Sequence, residues 1–232
     1  DGLAAQPRSQ PGPGGHQTAI RQRDVEELTQ LLLTAPTSAV RNHCEAMRAR
    51  DIPVVQMLLH LLAPTARRLG ELWDNDEVDF TSVAIALCSL QQLMRELARS
   101  AEPDQSDHSG SENRRVLLAP VPGEQHTFGV LMVAEFFQRA GWEVAGHGAL
   151  DGQELLRLAR SEWFAVIGVS ASQEATLEEV TALIEQLRRV SRNREVSVLV
   201  GGRPFAENPE LFRSVGADAT ATDAEGAVAA AE

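Results

Sequence analysis

The spacing of apolar positions divides the chain into two halves. Between residues 21 and 100, apolar residues recur every three or four positions, which is the period of an amphipathic helix. This pattern predicts four helices: 21–34, 37–50, 53–73 and 80–99. Asp51 and Asp79 are expected to cap the third and fourth helices, and Pro64 is expected to kink the third. Four helices with short connections predict an antiparallel bundle.

After residue 114 the period changes to that of alternating strands and helices. Strands are predicted at 115–120, 142–146, 163–170, 195–200 and 217–220. Helices are predicted at 126–140, 152–161, 175–190, 209–215 and 224–231. Five strands that alternate with five helices predict a doubly wound parallel sheet in an α/β domain, and we infer the flavodoxin-like strand order 2-1-3-4-5.

Two polar segments bound these regions. Residues 1–20 and 101–114 are expected to be linkers, because both are poor in apolar residues and rich in turn formers. The expected organisation is therefore a bundle over 21–100 and an α/β domain over 115–232. The glycine- and proline-rich start, without an initiator methionine, leads us to expect a fragment of a longer protein.

Charge narrows the classes of partner. The 232 residues include 33 acidic and 21 basic side chains, every basic one an arginine, so the formal net charge is −12. Such a surface repels a phosphate backbone, and we expect a basic protein as partner and no direct binding to DNA. No apolar run approaches the roughly 18 residues that cross a bilayer, so no membrane contact is expected. The absence of a visible signal peptide predicts a cytoplasmic protein.

Recognisable catalytic chemistry is missing from the sequence. No carboxylate, histidine or serine stands in a familiar catalytic order, and the absence of lysine excludes a Walker phosphate loop, so the chain is not expected to be an enzyme. Cys44 and Cys88 are expected to be buried and reduced, with a redox pair as the alternative. His60, on an apolar stretch of helix, is expected to lie in the core.

One segment carries the strongest candidate chemistry. The apolar run 116–119 ends in a Pro/Gly loop, then Glu124-Gln125-His126 follows, and Gly129 opens the next helix. A loop between strand and helix lies at the carboxyl edge of a parallel sheet, where α/β folds bind ligands. The Glu124 carboxylate could polarise the His126 imidazole. The alternative is an ordinary turn with an exposed histidine. Trp73 is expected to pack between the halves, with a ligand contact as the alternative.

Three separated motifs resemble those of the cobalamin-binding Rossmann-like family. They are Glu124-x-His126-x-x-Gly129, Ser170-Ala171-Ser172 and Gly201-Gly202. The resemblance implies that His126 ligates a metal from below, that Ser170 and Ser172 contact a nucleotide tail, and that the glycines make room for it. The sequence LGELW at 69–73 resembles the helical cap of cobalamin-dependent light-sensing regulators. Together these imply a cofactor site formed by His126, Glu124, Gly129, Ser170, Ser172, Gly201, Gly202 and Trp73.

The chain departs from that family at four positions. Glu124 replaces an aspartate, Ser172 replaces a leucine, and Val83 and Ala84 replace the Glu-His pair that covers the upper face of the ligand. In this it is similar to the SCHIC sensors of purple photosynthetic bacteria, which are described as containing heme in place of cobalamin. The resemblance implies a heme pocket, occupied or empty, with cobalamin as the alternative cofactor.

The SCHIC resemblance also implies a function and a partner. It implies a sensory and protein-interaction module of a transcriptional antirepressor, responsive to light, redox or tetrapyrrole status, that binds the photosynthesis-gene repressor PpsR. A flavin-binding light-sensing domain would lie upstream in the full-length protein. The alternatives are a cobalamin-binding transcriptional regulator and a corrinoid carrier domain. We expect the bundle to sit over the carboxyl edge of the sheet, with a cleft near His126 and Trp73.

Overall fold

A computed structural model describes residues 19–100, 114–124, 127–146, 148, 150–172 and 177–232. The first half is helical, as its pattern predicts. Its helices are α1 (Gln22–Thr34), α2 (Thr37–Arg48), α3 (Val54–Met57), α4 (Ala63–Asp74) and α5 (Phe80–Ser100). A π-helical turn, Leu58–Leu62, joins α3 to α4, so that the two form one continuous third helix. In the part of the chain covered, no helix is both long enough and apolar enough to span a membrane.

The interruption expected at Pro64 takes the form of that π turn. The N–H of Ala63 donates to the Leu58 carbonyl, five residues back, in place of the usual four. Pro64 has no N–H to give to His60, and a widened turn just before a proline accommodates the missing bond. His60 points away from the buried side chains of this helix, which include Met57, Leu58 and Leu61. His60 is exposed, so the prediction that it lies in the core is wrong.

Of the two predicted caps, one is correct. Asp79 accepts from the Ser82 N–H (3.0 Å) and from the Ser82 hydroxyl (2.7 Å), which caps α5. These bonds, the hydroxyl first, lower the pKa of the Asp79 carboxyl. Asp51 is not a cap, because its backbone adopts a left-handed turn (φ 57°) and the residue that precedes α3 is Pro53.

The two cysteines lie in different environments. Cys44 is buried in the bundle, where burial, with a smaller effect from Glu45, raises the pKa of its thiol to about 12. Cys88 is exposed on α5, so the prediction that both thiols are buried is wrong. The two thiols are not joined to each other in the structure, and their reduced state stays a prediction.

The second half is a five-stranded parallel sheet in the order β2-β1-β3-β4-β5, which confirms the predicted fold class and strand order. Its strands are β1 (Arg115–Pro120), β2 (Glu143–Gly146), β3 (Val166–Ser170), β4 (Ser197–Gly201) and β5 (Ala219–Thr220). Its helices are α6 (Phe128–Arg139), α7 (Gly152–Ser161), α8 (Leu177–Val190), α9 (Arg203–Glu207), α10 (Leu211–Ser214) and α11 (Ala224–Ala231). The sequence pattern missed α9, and Trp163, predicted to open the third strand, lies before it.

Helix α6 joins the two halves of the molecule. Its side chains alternate between the sheet (Val130, Ala134, Phe137) and the bundle core (Phe128, Met132, Phe136). A helix that is apolar on two faces must be covered on both, and here the bundle provides the second cover. The bundle is therefore packed on the molecule through a shared apolar core.

The direction of α5 follows from contacts at its two ends. Near the C-terminal end of α5, Arg139 of α6 donates to the Ala98 carbonyl (3.3 Å). At the other end of the bundle, Asp74 ends α4 shortly before α5 begins. Its carboxylate lies 3.4 Å from the guanidinium of Arg203, a residue that follows β4. Helices α5 and α6 thus run side by side from the carboxyl edge of the sheet toward its amino edge. This corrects the expectation that the bundle sits over the carboxyl edge: it lies beside the sheet, and only its α4–α5 end reaches that edge.

Candidate functional site

The segments that follow β1, β3 and β4 continue side by side beyond the carboxyl edge of the sheet. The Val121 N–H donates to the Ser170 carbonyl (2.9 Å), and the Ala171 N–H donates to the Gly201 carbonyl (3.0 Å). In this strand order the chain reverses direction across the sheet between β1 and β3, and open α/β sheets bind ligands at the carboxyl edge of that point. The three motifs identified from the sequence therefore meet at one place.

Glu124 and Ser172 tie two of these loops together. The Ser172 N–H donates to Glu124 Oε2 (3.1 Å), and the Ser172 hydroxyl donates to the same oxygen. Both residues are partly buried, and hydrogen bonds to an ionised acceptor are stronger than those between neutral groups. We refer to this pair as the loop clamp. It fixes the loop that contains the Glu124 motif against the loop that follows β3.

The glycines of the site fall into two classes. A Cβ built on Gly129 or Gly201 meets no heavy atom of the described residues within 4 Å, so both positions face open space. Gly202 is different, because its φ is 103° and a Cβ there would lie 1.9 Å from the Ala171 carbonyl oxygen. Gly202 is thus required by the backbone, whereas Gly129 and Gly201 leave room above the loops.

The end of the bundle forms a wall beside that space. Helix α5 has 21 residues and α6 has 12, and Arg139 of α6 meets Ala98 of α5, so α5 projects beyond the start of α6 by roughly 10 Å. Phe80 lies a whole number of helical turns before Ala98 and therefore points to the same side, toward α6. We call residues 73–85 the bundle tip.

Two aromatic rings dominate the bundle tip. The Trp73 and Phe80 ring centroids are 6.1 Å apart with the planes at 59°. Trp73 is 37% exposed and Phe80 is 61% exposed, which is unusual for side chains of this size. The exposed Asp74–Arg203 ion pair marks the point where the bundle tip meets the loop after β4, although such a pair adds little stability. Sequence reasoning identified Trp73 but missed Phe80 and this ion pair.

The predicted site residues are placed as follows. Glu124 and Ser172 form the loop clamp; Ser170, Gly201 and Gly202 lie at the ends of β3 and β4; Gly129 lies in the first turn of α6; Trp73 lies on the bundle tip. His126 lies outside the described residues. In the ranges that are described, no group of three or more histidine, cysteine, aspartate or glutamate side chains could hold a metal ion.

The two positions that correspond to the missing Glu-His pair differ in burial. Val83 is 4% exposed and belongs to the core of the bundle, so it does not face the cleft. Ala84 is half-buried, one turn after Phe80 on the α6 side of the helix. The two α5 positions that correspond to the Glu-His pair are thus both apolar, and only Ala84 is near the surface.

Comparisons with known proteins agree with this geometry. Residues 114–232 match the family model described as the B12 binding domain. The chain is 31% identical over 180 residues to an uncharacterized 20.5 kDa protein in the bchF-crtJ intergenic region of Rhodobacter capsulatus, covering 77% of this chain and 92% of that one. It is 25% identical over 212 residues to dimethylamine corrinoid protein 1 of Methanosarcina mazei, covering 90% and 94%.

Among solved structures, the monomethylamine corrinoid protein of Methanosarcina barkeri has the same fold. The TM-score is 0.72 at 17% identity, over 90% of this chain and 98% of that one. The coverage includes the bundle as well as the sheet, so the two-part architecture is shared.

Proposed function

The chain belongs to the B12-binding domain family, and on that premise we propose that it is a non-catalytic module that binds a cobalamin in the cleft between the bundle tip and the loops after β1, β3 and β4. One observation carries the proposal: the loop clamp brings the Glu124 and Ser172 segments together at a place where Gly129 and Gly201 face open space. The corrinoid proteins named among the relatives support the choice of ligand.

The described residues fit such a ligand in three respects. No described heavy atom lies within 4 Å of a Cβ built on Gly129 or Gly201, so neither position blocks the approach of a ligand from the described side. The described residues beside it, among them Val121, Ala171 and Ser172, are held by backbone and side-chain hydrogen bonds. Trp73 and Phe80 offer apolar area to a macrocycle, as ligand sites commonly do. When bound, the corrinoid would supply a cobalt centre, and His126 is the side chain we assign as its protein ligand.

The test is an absorption titration of the purified chain with hydroxocobalamin, followed by gel filtration. We expect a cobalamin spectrum that co-elutes with the protein and is lost in His126→Ala. His60→Ala is the matched control, because His60 is exposed on the bundle and should leave the spectrum unchanged. Hemin is the competing ligand, as the SCHIC resemblance implies heme. A specific Soret band with hemin, and no retained cobalamin, would overturn the proposal in favour of heme.

A second candidate function concerns gene regulation. The resemblance in sequence is to SCHIC proteins, in particular to the C-terminal part of the AppA antirepressor and its PpaA/AerR relatives. The similarity to a protein in the bchF-crtJ intergenic region, a photosynthesis-gene region, favours this candidate over a methyl carrier. We therefore propose that the cobalamin-binding module contacts the repressor PpsR. The net charge of −12 suits contact with a DNA-binding protein and opposes contact with DNA.

The second candidate is tested by titrating the chain against purified PpsR and, separately, against operator DNA at moderate salt. A complex with PpsR on gel filtration, and no shift of the DNA, is the expected result. Tight, salt-sensitive binding to the DNA with no PpsR complex would contradict it. If the chain bound DNA in this way and also retained cobalamin, its function would be that of a cobalamin-binding regulator that contacts DNA directly.

A further inference from the structure

The bundle tip carries the large exposed apolar side chains of the described structure. Trp73 is 37% exposed, Phe80 is 61% exposed and Ile85 is 60% exposed, and no other large hydrophobic side chain in the described ranges is exposed. Phe80 faces the α6 side, whereas Ile85 is rotated from it by about 140° and points away from the cleft. A ligand beside Phe80 would thus leave the Ile85 side chain uncovered, next to the turn that joins α4 to α5.

Acidic groups surround these side chains. Four of the six residues from Asp74 to Asp79 are carboxylates: Asp74, Asp76, Glu77 and Asp79, all exposed. Asp74 pairs with Arg203, and within the described ranges no cation lies in ion-pair range of the other three. The bundle tip is therefore an apolar surface with a negative rim.

The acidic turn is also held rigidly. The Asp76 N–H donates to the Trp73 carbonyl (3.0 Å), and the N–H groups of Glu77 and Val78 donate to the Leu72 carbonyl (2.9 and 3.3 Å). Asp79 is fixed by its capping bonds to α5. A surface that is ordered before binding loses little conformational entropy when a partner arrives.

We propose that the bundle tip docks a basic amphipathic helix of a partner protein. Apolar side chains of that helix would cover Ile85, and its arginine or lysine side chains would meet Asp76, Glu77 and Asp79. An arginine is also suited to stack on an exposed aromatic ring. A second copy of this chain fits less well, because its own acidic turn would face Asp76 and Glu77. An anionic membrane surface would be repelled for the same reason.

The probe is a synthetic helical peptide with arginine on one face and leucine on the other, and its counterpart with glutamate in place of arginine. Binding is followed by ¹H–¹⁵N NMR of the full chain. We expect amide shifts confined to residues 73–85 and their neighbours with the basic peptide, and none with the acidic one. Shifts spread over the surface, or no binding of the basic peptide, would overturn the proposal.

Reversing the charge of two acidic residues tests whether the peptide is attracted by the acidic turn itself or by the net negative charge of the whole chain. Asp76→Arg/Glu77→Arg should weaken the basic peptide at least tenfold at low salt, about the effect of losing two close charge pairs. The matched control is Glu179→Arg/Glu185→Arg on α8, which changes the net charge equally on the opposite side of the sheet. Equal weakening by both variants would show that the attraction is not local and would refute the proposal.

The apolar part has its own pair of variants. Ile85→Ser should weaken the peptide at least tenfold, and Gln92→Ser, on the same exposed side of α5 but beyond the bundle tip, should have no effect. Since Ile85 is exposed, unfolding midpoints should match those of the unchanged chain, which excludes misfolding as the cause. Self-association of the chain alone, lost in Ile85→Ser, would assign the surface to a second copy and overturn the basic-partner proposal.

Discussion

Gly201 and Gly202 are neighbours in the sequence, yet substitution by alanine should have opposite consequences at the two positions. Gly202 has φ 103° and ψ −178°, a backbone region that is nearly restricted to glycine, and holding alanine there costs about 1–3 kcal/mol. The added Cβ would also lie 1.9 Å from the Ala171 carbonyl oxygen, so the backbone must shift. Such overpacking costs about 1–3 kcal/mol more.

The expected loss for Gly202→Ala is therefore about 2–6 kcal/mol of unfolding free energy, or a fall in Tm of roughly 5–20 °C in a chain of this size. Gly201 has no positive φ, and its Cβ would meet open space, so Gly201→Ala should change stability by less than about 0.5 kcal/mol. The assay is urea unfolding followed by circular dichroism. Equal unfolding midpoints for the two variants would refute the reasoning about the loops.

Gly201→Ala carries a second expectation that follows from the same geometry. Because its methyl group would occupy the open space above the loops, it should weaken binding of hydroxocobalamin while the fold stays intact. Unchanged cobalamin affinity in this variant would show that the space over Gly201 is not part of the site.

Three further predictions concern single groups. In a double-mutant cycle of Glu124→Gln and Ser172→Ala, urea unfolding should give a coupling energy of about 1–2 kcal/mol, and strict additivity would exclude the loop clamp as a stabilising contact. At pH 8 a thiol reagent should modify Cys88 rapidly and Cys44 only after unfolding, because burial raises the pKa of Cys44 to about 12; equal rates would contradict this. Asp79→Ala should lower the Tm at pH 7, since a serine hydroxyl and backbone N–H groups in the first turn of α5 lower the pKa of this carboxyl. The stabilisation by the ionised Asp79 carboxylate is fully present above the usual pKa range of aspartate and is lost as the pH falls through the lowered pKa. The difference in Tm between the unchanged chain and Asp79→Ala should therefore shrink in acid. A difference that stays constant with pH would exclude a role for the charge of the cap.

Most of the fold could be predicted from periodicity because each element buries a regular pattern of side chains. The strand Arg115–Pro120 and the helices Gly152–Ser161 and Ala224–Ala231 were predicted with their observed bounds. The third strand was predicted three residues too long, since Trp163 and Phe164 have strand propensity but pairing with β1 and β4 begins at Val166. Propensity is local, whereas the start of a strand depends on where its neighbours start.

The errors in the bundle have a similar origin. His60 was placed inside because its neighbours in the sequence are apolar, whereas the buried residues Met57, Leu58, Leu61 and Leu62 leave position 60 on the other side of the helix. The position of Phe80 beside the candidate site could not be predicted either. It follows from how far α5 extends past the start of α6, and that depends on how the two helices pack together.

The candidate site could likewise be predicted only in part. Its residue types and spacings could be identified from the sequence, because the motifs follow strand ends that a parallel sheet brings together. The contact between Glu124 and Ser172, 48 residues apart, could not, because it requires the register of two loops in space.

The central claim is that this chain binds cobalamin with His126 as the lower ligand. The most direct measurement is the electron paramagnetic resonance spectrum of the chain loaded with hydroxocobalamin, reduced to the Co(II) state, and prepared with ¹⁵N-labelled histidine. Coordination by His126 predicts that the three-line superhyperfine pattern of a ¹⁴N ligand becomes the two-line pattern of ¹⁵N. A three-line pattern that persists, from the nucleotide base of the cofactor itself, or a chain that retains no cobalt, would contradict the claim.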